Sequence, residues 1–338
     1  MQYIYSGSPQ IRSNLTTRKI MLHVCLALLP SCVCGCVFFG WGALLILSIA
    51  CLSAVLSEVV YRLCSKVPFK TVIKEFDFTS LVTGMLVGMN AYADSKWYAV
   101  MLSSIFAVVV AKMIFGGTGK NIVNPAIVGR IFGFISFGAA FGGHTVSSDP
   151  AFVEKCYIIN KSTGATLHIG ATPMQALFDK DVVNNLTTFD LLLGNGVYGS
   201  IGEVCKLALL IGGVYLVVTG VLNFRWPLVY IAVTGVVTFL LNGFDAVNAL
   251  NSLLSGGLIL GAVFMATDYV TTPATKTGNY IYFVALGVLT AVLRNAVKGE
   301  AVSFAILLMN FVVPLIDAYC LRRPFGYVKP AKEVAKNV

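Results

Sequence analysis

The chain has 338 residues, of which 57% are apolar and only 12% are charged, and its mean hydropathy is +0.83. Soluble proteins carry roughly 25% charged residues, so this composition excludes a soluble globular protein and indicates a polytopic membrane protein. The net charge of +9 is typical of the Lys and Arg excess in cytoplasmic loops. We therefore expect the lipid bilayer, and no nucleic acid, as a partner.

The hydrophobic pattern predicts ten transmembrane helices and an all-α fold. A polar loop of about sixty residues, too long for an ordinary connection, divides them into two groups of five. The predicted spans are 21–39, 41–63, 78–93, 97–115 and 122–141, then 204–222, 226–244, 252–266, 280–297 and 301–321. The domain plan is a cytoplasmic N-terminal segment (1–20), a five-helix repeat (21–141), the loop (142–203), a second five-helix repeat (204–321) and a basic cytoplasmic tail (322–338).

The third and eighth predicted spans are short and contain spaced glycines. About 15 residues at ~1.5 Å each reach only ~23 Å, less than a hydrocarbon core of ~30 Å. Gly84 and Gly88 lie in one span, and Gly257 and Gly261 in the other. Five spans per repeat orient the halves oppositely, and short helices at matching positions of inverted halves indicate a binding site near the midplane. Close helix packing is the alternative reason for these glycines.

Basic residues are distributed unevenly between the two sides of the membrane. If the N-terminus is cytoplasmic, most of the 24 basic residues fall in cytoplasmic segments, as the positive-inside rule requires. Both termini are then cytoplasmic, the protein is a multi-pass protein of the plasma (inner) membrane, and the long loop lies on the outer side. Glu58, at the inner end of the second span, is interpreted as reaching for the interface.

A glycine-rich segment, GGTGKN at 116–121, precedes the fifth span. It is not a P-loop, because Ile114 occupies the position of the first glycine and Asn121 that of the Ser or Thr. The sequence predicts a tight turn, with Asn124 as the helix cap and Pro125 at the first helical position. Such a helix start also offers amide donors to an anion or a polar ring edge.

Five motifs carry a resemblance to a known family. They are Ser8-Pro9, FFGWG at 38–42, GGTGKN with Asn124-Pro125-Ala126, MATDYVTTP at 265–273 and VPLID at 313–317. In this order, they resemble the NqrB/RnfD family, which contains the D subunit of the Rnf ion-translocating ferredoxin:NAD oxidoreductase and the B subunit of the sodium-pumping NADH:quinone oxidoreductase. The Rnf member is preferred, because the other type usually carries a longer N-terminal extension.

The resemblance implies FMN joined to a threonine by a phosphoester bond that a separate flavin transferase makes. The best match is Thr172, in the segment Gly-Ala-Thr-Pro-Met at 170–174. The sequence departs from the family pattern at Ile169, where Ser or Thr is usual. Thr166 is the alternative: its segment supplies that hydroxyl residue but lacks the following Pro and apolar residue.

The topology, taken with the resemblance, places further candidate cofactor-binding residues. Asn90, Arg294 and Glu300 are expected near the outer face, with the FMN. A second, non-covalent flavin (riboflavin) is implied at the inner face. Its candidate residues are Lys120, Asn124, Thr267 and Asp268. We expect no metal site and no catalytic acid, base or nucleophile, because the flavin does the redox chemistry.

The implied function is an electron-transfer subunit of an ion-translocating oxidoreductase complex, working with the other Rnf subunits between ferredoxin and NAD. Electron transfer would be coupled to the movement of sodium ions or protons. Two alternatives remain: a cofactor-free channel or transporter of the urea or ammonium type, and the B subunit of the sodium-pumping quinone oxidoreductase. Covalently bound flavin separates the redox function from the channel.

Overall fold

The computed structural model describes residues 16–142, 158–160, 166–167, 182–183, 188–194, 197, 199–297 and 301–320. Among these residues, all membrane segments are helical, in agreement with the predicted polytopic membrane fold. The long loop adds three short strands that were not predicted. Thr172 and Glu300 lie outside the described residues.

The first half begins with two long helices that meet at Gly40. This residue has a φ of +69°, a conformation that glycine adopts without the penalty that a Cβ imposes, and the chain turns there, between the predicted spans 21–39 and 41–63. A later helix continues into a single π-helical turn at Val109–Met113. The helices are α1 (Thr17–Phe39), α2 (Trp41–Cys64), α3 (Phe69–Lys74), α4 (Thr79–Met89), α5 (Trp97–Val108), α6 (Pro125–Phe137) and α7 (Ala139–Gly142).

The glycine-rich turn before α6 forms as predicted. Gly116, Gly117 and Gly119 all have positive φ angles, so the turn requires residues without a Cβ. Asn124 is the N-cap of α6, where its side chain accepts a hydrogen bond from the backbone N–H of Ala126. Pro125 occupies the first helical position. These contacts set where α6 begins.

The described residues of the long loop form a small antiparallel sheet and one short helix. The strands are β1 (Ile158–Asn160), β2 (Thr166–Leu167) and β3 (Val182–Val183), with β1 in the middle of the sheet. In this sheet Thr166 pairs with Ile159. The helix α8 (Thr188–Leu193) follows.

The second half corrects the predicted span 252–266. The chain breaks after Leu254, and the two parts are bent by 64°, so one helix ends at Leu254 and the next begins at Leu258. Gly256, at the break, has a φ of +67°. The helices are α9 (Lys206–Val218), α10 (Arg225–Leu241), α11 (Ala246–Leu254), α12 (Leu258–Leu260, continued by the π-helical turn Gly261–Met265), α13 (Lys276–Val297) and α14 (Val302–Tyr319).

The two halves form one apolar core. Within the first half, α2 packs on α4 and α5, and α5 packs on α6; within the second, α10 packs on the end of α12 and on α13, and α13 packs on α14. Between the halves, α1 packs on α9 and α6 on α14. Large apolar side chains such as Leu52 and Val218 are 62% and 79% exposed, as contact with lipid requires.

By length and composition, four of the described helices can each cross a membrane, namely α1, α2, α13 and α14. The bent pair of α11 and α12 forms up to one more span. The remaining apolar helices have 10–17 residues. The chain is therefore a multi-pass membrane protein.

Candidate functional site

A cavity lies where the two short helices of the halves meet, and we name it the junction cavity. Its empty volume is about 800 Å³, which includes open solvent at its mouth. Its apolar wall comes from α1, α4, α9 and α12, and includes Leu86, Leu216 and Phe264. Its polar lining consists of Thr79, Thr83, Lys112, Thr118, Asn121, Asn124, Thr267 and Asp268.

Asn124 connects the glycine-rich turn to the end of α12. Its side-chain N–H donates to the carbonyl of Met265, with a distance of 3.0 Å, while its Oδ1 caps α6. The buried amide of Asn310 lies 3.1 Å from the backbone N–H of Asn124 and is hydrogen-bonded to the Tyr282 hydroxyl at 2.9 Å. Both ends of the Asn124 side chain are therefore fixed by the fold.

Asp268 follows α12 and faces the cavity. It accepts hydrogen bonds from the backbone N–H of Val270 and the Thr271 hydroxyl, at 3.3 and 3.4 Å, and from Asn121. Burial raises the pKa of Asp268, and these hydrogen bonds lower it by less. Thr267, its neighbour, donates its hydroxyl to the Val263 carbonyl at 2.6 Å.

A buried ion pair lies beside the junction cavity, and one of its members, Lys112, belongs to the cavity lining. The Lys112 ammonium donates to Glu58 Oε2 at 2.9 Å, and both residues are at most 2% exposed. The other oxygen of Glu58 lies 2.5 Å from the Arg62 guanidinium. The interpretation of Glu58 as reaching for the interface was therefore wrong: the carboxylate is held inside by two cations.

Lys112 also reaches the cavity lining through hydroxyl groups. It donates to Thr79 Oγ1 and, at 3.1 Å, to Ser80 Oγ. The Thr79 hydroxyl donates to Asp77 Oδ1 at 2.5 Å, and Thr118 donates to Asp77 Oδ2 at 2.7 Å. Burial raises the pKa of Asp77, but these hydrogen bonds and the Lys112 charge together bring it below its ordinary value.

The structure brings together three of the four predicted inner residues. Asn124, Thr267 and Asp268 line the junction cavity, whereas Lys120 is exposed and is not part of its lining. Five further polar lining residues were not predicted from the sequence, namely Thr79, Thr83, Lys112, Thr118 and Asn121. An acid in α2 and a base in the π turn after α5, both within apolar segments, were the signal for a buried pair.

The residues predicted for the outer face have other contacts. Asn90 is 2% exposed, and its amide donates to the Leu86 carbonyl at 2.6 Å and faces the Met265 sulfur at 3.9 Å. Arg294 is 1% exposed and donates to the carbonyls of Ser252 and Ser255 at the end of α11. Glu300 lies outside the described residues.

Comparison with known proteins shows the family. The family described as NQR2, RnfD, RnfE matches residues 4–326. The chain belongs to this family. It is 36% identical to the D subunit of the Na(+)-translocating ferredoxin:NAD(+) oxidoreductase complex of Acetobacterium woodii, over 97% of this chain and 96% of that protein. It is 33% identical to the D subunit of the proton-translocating ferredoxin:NAD(+) oxidoreductase complex of Clostridium ljungdahlii, over 96% of each.

A third relative is the D subunit of the ion-translocating oxidoreductase complex of Stutzerimonas stutzeri, with 32% identity over 94% of this chain and 93% of that protein. The relatives are matched over nearly their full lengths. The junction cavity and the buried pair of Lys112 and Glu58 therefore lie inside the part that the family shares. The names of the first two relatives differ in the ion that is moved, sodium in one and the proton in the other.

Proposed function

We propose that this chain is a membrane subunit of an Rnf-type ion-translocating ferredoxin:NAD oxidoreductase, and that it passes electrons through bound flavin. The match to the D subunits of such complexes over nearly the whole chain supports this. The other subunits of the complex are the expected partners, and they would carry the nicotinamide chemistry. The coupled ion is sodium in the name of one relative and the proton in that of another, so we propose coupling to one of the two.

We further propose ten spans in two inverted five-helix repeats. Two sets of helix pairs support this: α2–α4, α2–α5 and α5–α6 in one half, and α10–α12, α10–α13 and α13–α14 in the other. Two contacts join the halves: α1 packs on α9, and α6 packs on α14. Each contact pairs helices at the same position in the two halves, the first span with the first and the last with the last, as a two-fold axis in the membrane plane requires. With the basic residues inside, both termini are cytoplasmic, and the loop carrying Thr172 is on the outer side of the inner membrane.

Covalent FMN on Thr172 is the first cofactor of this proposal. A threonine hydroxyl can form a phosphoester, and a loop outside the membrane can enter the active site of a flavin transferase. Thr166 belongs to β2 and has Ile159 as its strand partner, whereas Thr172 is the threonine followed by proline. This supports Thr172 as the attachment residue and leaves Thr166 as the alternative.

A non-covalent flavin in the junction cavity is the second cofactor. The ring system of a flavin has an apolar end and an end with hydrogen-bond donors and acceptors. The cavity matches both, since apolar side chains such as Leu86 and Phe264 form one wall while Asn121, Asn124 and Asp268 converge on the other. This amphipathic lining at the meeting point of two short helices is the observation that carries the proposal. Bound flavin would supply one- and two-electron redox chemistry.

The test is a flavin assay on the full chain, produced with the flavin transferase and purified in detergent. We expect one covalent flavin and one flavin released by denaturation. Asn124→Asp keeps the helix cap but removes the N–H that holds Met265, and should release most of the non-covalent flavin while the covalent flavin stays. Lys120→Ala, an exposed position outside the cavity, is the control. A chain without any flavin would instead support the cofactor-free channel.

A further inference from the structure

A continuous chain of hydrogen bonds links the junction cavity to a half-buried carboxylate. Lys112 donates to Thr79, and Thr79 donates to Asp77. Thr118 closes the cluster, because its hydroxyl contacts both Asp77 Oδ2 at 2.7 Å and Thr79 Oγ1 at 3.1 Å. Lys112, Thr79 and Thr118 line the cavity, while Asp77 is half-buried. The polar path therefore leads from the cavity wall toward the exterior.

The members of this chain are of the kind that transfers protons. An ammonium group, a hydroxyl group and a carboxylate can each give up or accept a proton, and the hydroxyl between them can do both at once. A structural ion pair needs only Lys112 and Glu58. The path through Thr79 to a second carboxylate is not needed to satisfy that pair, and it begins at the cavity lining.

We propose that Asp77, Thr79 and Lys112 form a proton relay that exchanges protons between the junction cavity and the solvent. This inference rests on the proposed function, because a redox cofactor in the cavity is what would release and take up the protons. The relay gives these three residues a role that neither family membership nor the names of the relatives assign. Lys112, which lines the cavity, would be the residue of the relay that faces a cofactor bound there.

Each transfer conserves protons. In the outward direction, an Nζ–H bond of Lys112 breaks as an O–H bond forms on Thr79, the original hydroxyl proton of Thr79 moves to Asp77 Oδ1, and Asp77 releases it to water. A proton taken up from the cavity restores the Lys112 ammonium. In the inward direction, the same steps run in reverse. The electrons come from and go to the redox partners of the proposed function.

Charged side chains surround the Lys112 ammonium group. Glu58 on α2 faces its ammonium at 2.9 Å, and Arg62 balances the other oxygen of Glu58. Asp77 approaches from the segment before α4, and its charge also acts on Tyr269 together with that of Asp268. Asp77 Oδ1 accepts the hydrogen bond of the Thr79 hydroxyl at 2.5 Å, so it is in place to take the proton that Thr79 passes on.

The test replaces the middle of the relay. In a Thr172→Ala background, which removes the covalent flavin, the remaining flavin of the full chain is reduced by dithionite in a stopped-flow instrument, and a pH-indicator dye follows proton uptake. We expect Thr79→Val, which preserves shape but lacks the hydroxyl, to slow both signals by about tenfold or more and to change the solvent isotope effect. The amount of bound flavin should stay the same.

The matched control is Thr234→Val. Thr234 is a buried threonine on α10 whose hydroxyl donates to the Tyr230 carbonyl of its own helix, and it does not line the junction cavity. Reduction at the unmodified rate is expected for this variant. Asp77→Asn retains an oxygen at the end of the relay but cannot carry the proton, so it should slow flavin reduction and proton uptake as Thr79→Val does. If Thr79→Val does not fold, Asp77→Asn provides the test.

Two results would overturn the relay while leaving the flavin site intact. In the first, Thr79→Val and Asp77→Asn bind flavin and take up protons at the unmodified rate. In the second, Thr234→Val slows reduction as much as Thr79→Val, which assigns the effect to a general loss of helix packing. If the Thr172→Ala chain releases no flavin on denaturation, the proposed second flavin fails, and the relay fails with it.

Discussion

Lys112 and Arg294 are buried cations at comparable places in the two halves. Each lies toward the end of the long helix that follows the short one, α5 with its π turn in the first half and α13 in the second. Lys112 contacts side chains, namely Glu58, Thr79 and Ser80. Arg294 donates to backbone carbonyls at the end of α11.

The contacts of Lys112 suit it to proton transfer, whereas the contacts of Arg294 suit it to holding two helices together. A guanidinium stays protonated in proteins and matches two carbonyls with its fixed fork, so Arg294 fastens α11 to α13. A lysine ammonium has three rotatable donors and can lose a proton, and here its partners line a cavity. The two buried cations therefore have different kinds of partner, side chains for Lys112 and backbone carbonyls for Arg294.

The largest effect is expected from breaking the Lys112 pair. Removing one partner of a buried ion pair costs about 3–5 kcal/mol, because the other charge is left uncompensated. Glu58→Leu should therefore lower the free energy of unfolding by that amount, measured by thermal or denaturant unfolding in detergent.

The double variant of Glu58→Leu with Lys112→Met is the control. Replacing both charges by apolar side chains of similar size leaves no buried charge, so much of the lost stability should return. If the double variant is less stable than the single one, the pair does not stabilise the protein through charge compensation.

Arg294→Met should have a smaller effect. It removes charge-assisted hydrogen bonds to the end of α11, each worth about 1.5–3 kcal/mol, and we expect a loss of about 2 kcal/mol. The non-covalent flavin should remain bound, because Arg294 does not line the junction cavity. Flavin loss without a change in stability would assign Arg294 to the cofactor instead, as predicted from the sequence. Unfolding and released flavin are measured on the same sample.

Local chemistry explains which parts of the fold were predictable. Gly40, the three glycines before Asn124 and the cap of α6 each act through their own backbone or the next few residues, and these boundaries agree with the structure. The break at Gly256 was missed because the apolar composition continues through it. Only the bend between α11 and α12 shows that they are separate helices.

The site was less predictable because its key contacts join distant segments. Asn124 and Asp268 could be named from motifs, but Lys112 and Glu58 are 54 residues apart, and no local pattern connects them. Lys120 carries the charge that a phosphate-binding turn would offer, yet it does not line the cavity. Partners in a membrane core become evident only when the helices are assembled.

The short helices offer a further test of the difference between the halves. A Cβ on Gly84 would lie 2.7 Å from the Ala50 carbonyl oxygen, whereas one on Gly261 would meet a methyl group of Val302 at 2.6 Å. Backbone cannot move aside as a side chain can, so Gly84→Ala should cost about 1–3 kcal/mol and Gly261→Ala less.

Unfolding in detergent compares the two alanine variants directly. Equal losses of stability would indicate that α4 and α12 accommodate an added methyl group equally well. A larger loss for Gly261→Ala would contradict the predicted order.

Covalent attachment of a flavin to this chain is the central claim, since the proposed redox function depends on it most. The direct measurement is ultraviolet fluorescence of the denatured chain on a gel, after production with the flavin transferase. We predict a fluorescent band for the unmodified chain and for Thr166→Ala, and none for Thr172→Ala. A band that survives Thr172→Ala but not Thr166→Ala would move the attachment to Thr166, and the absence of a band from the unmodified chain would contradict the claim.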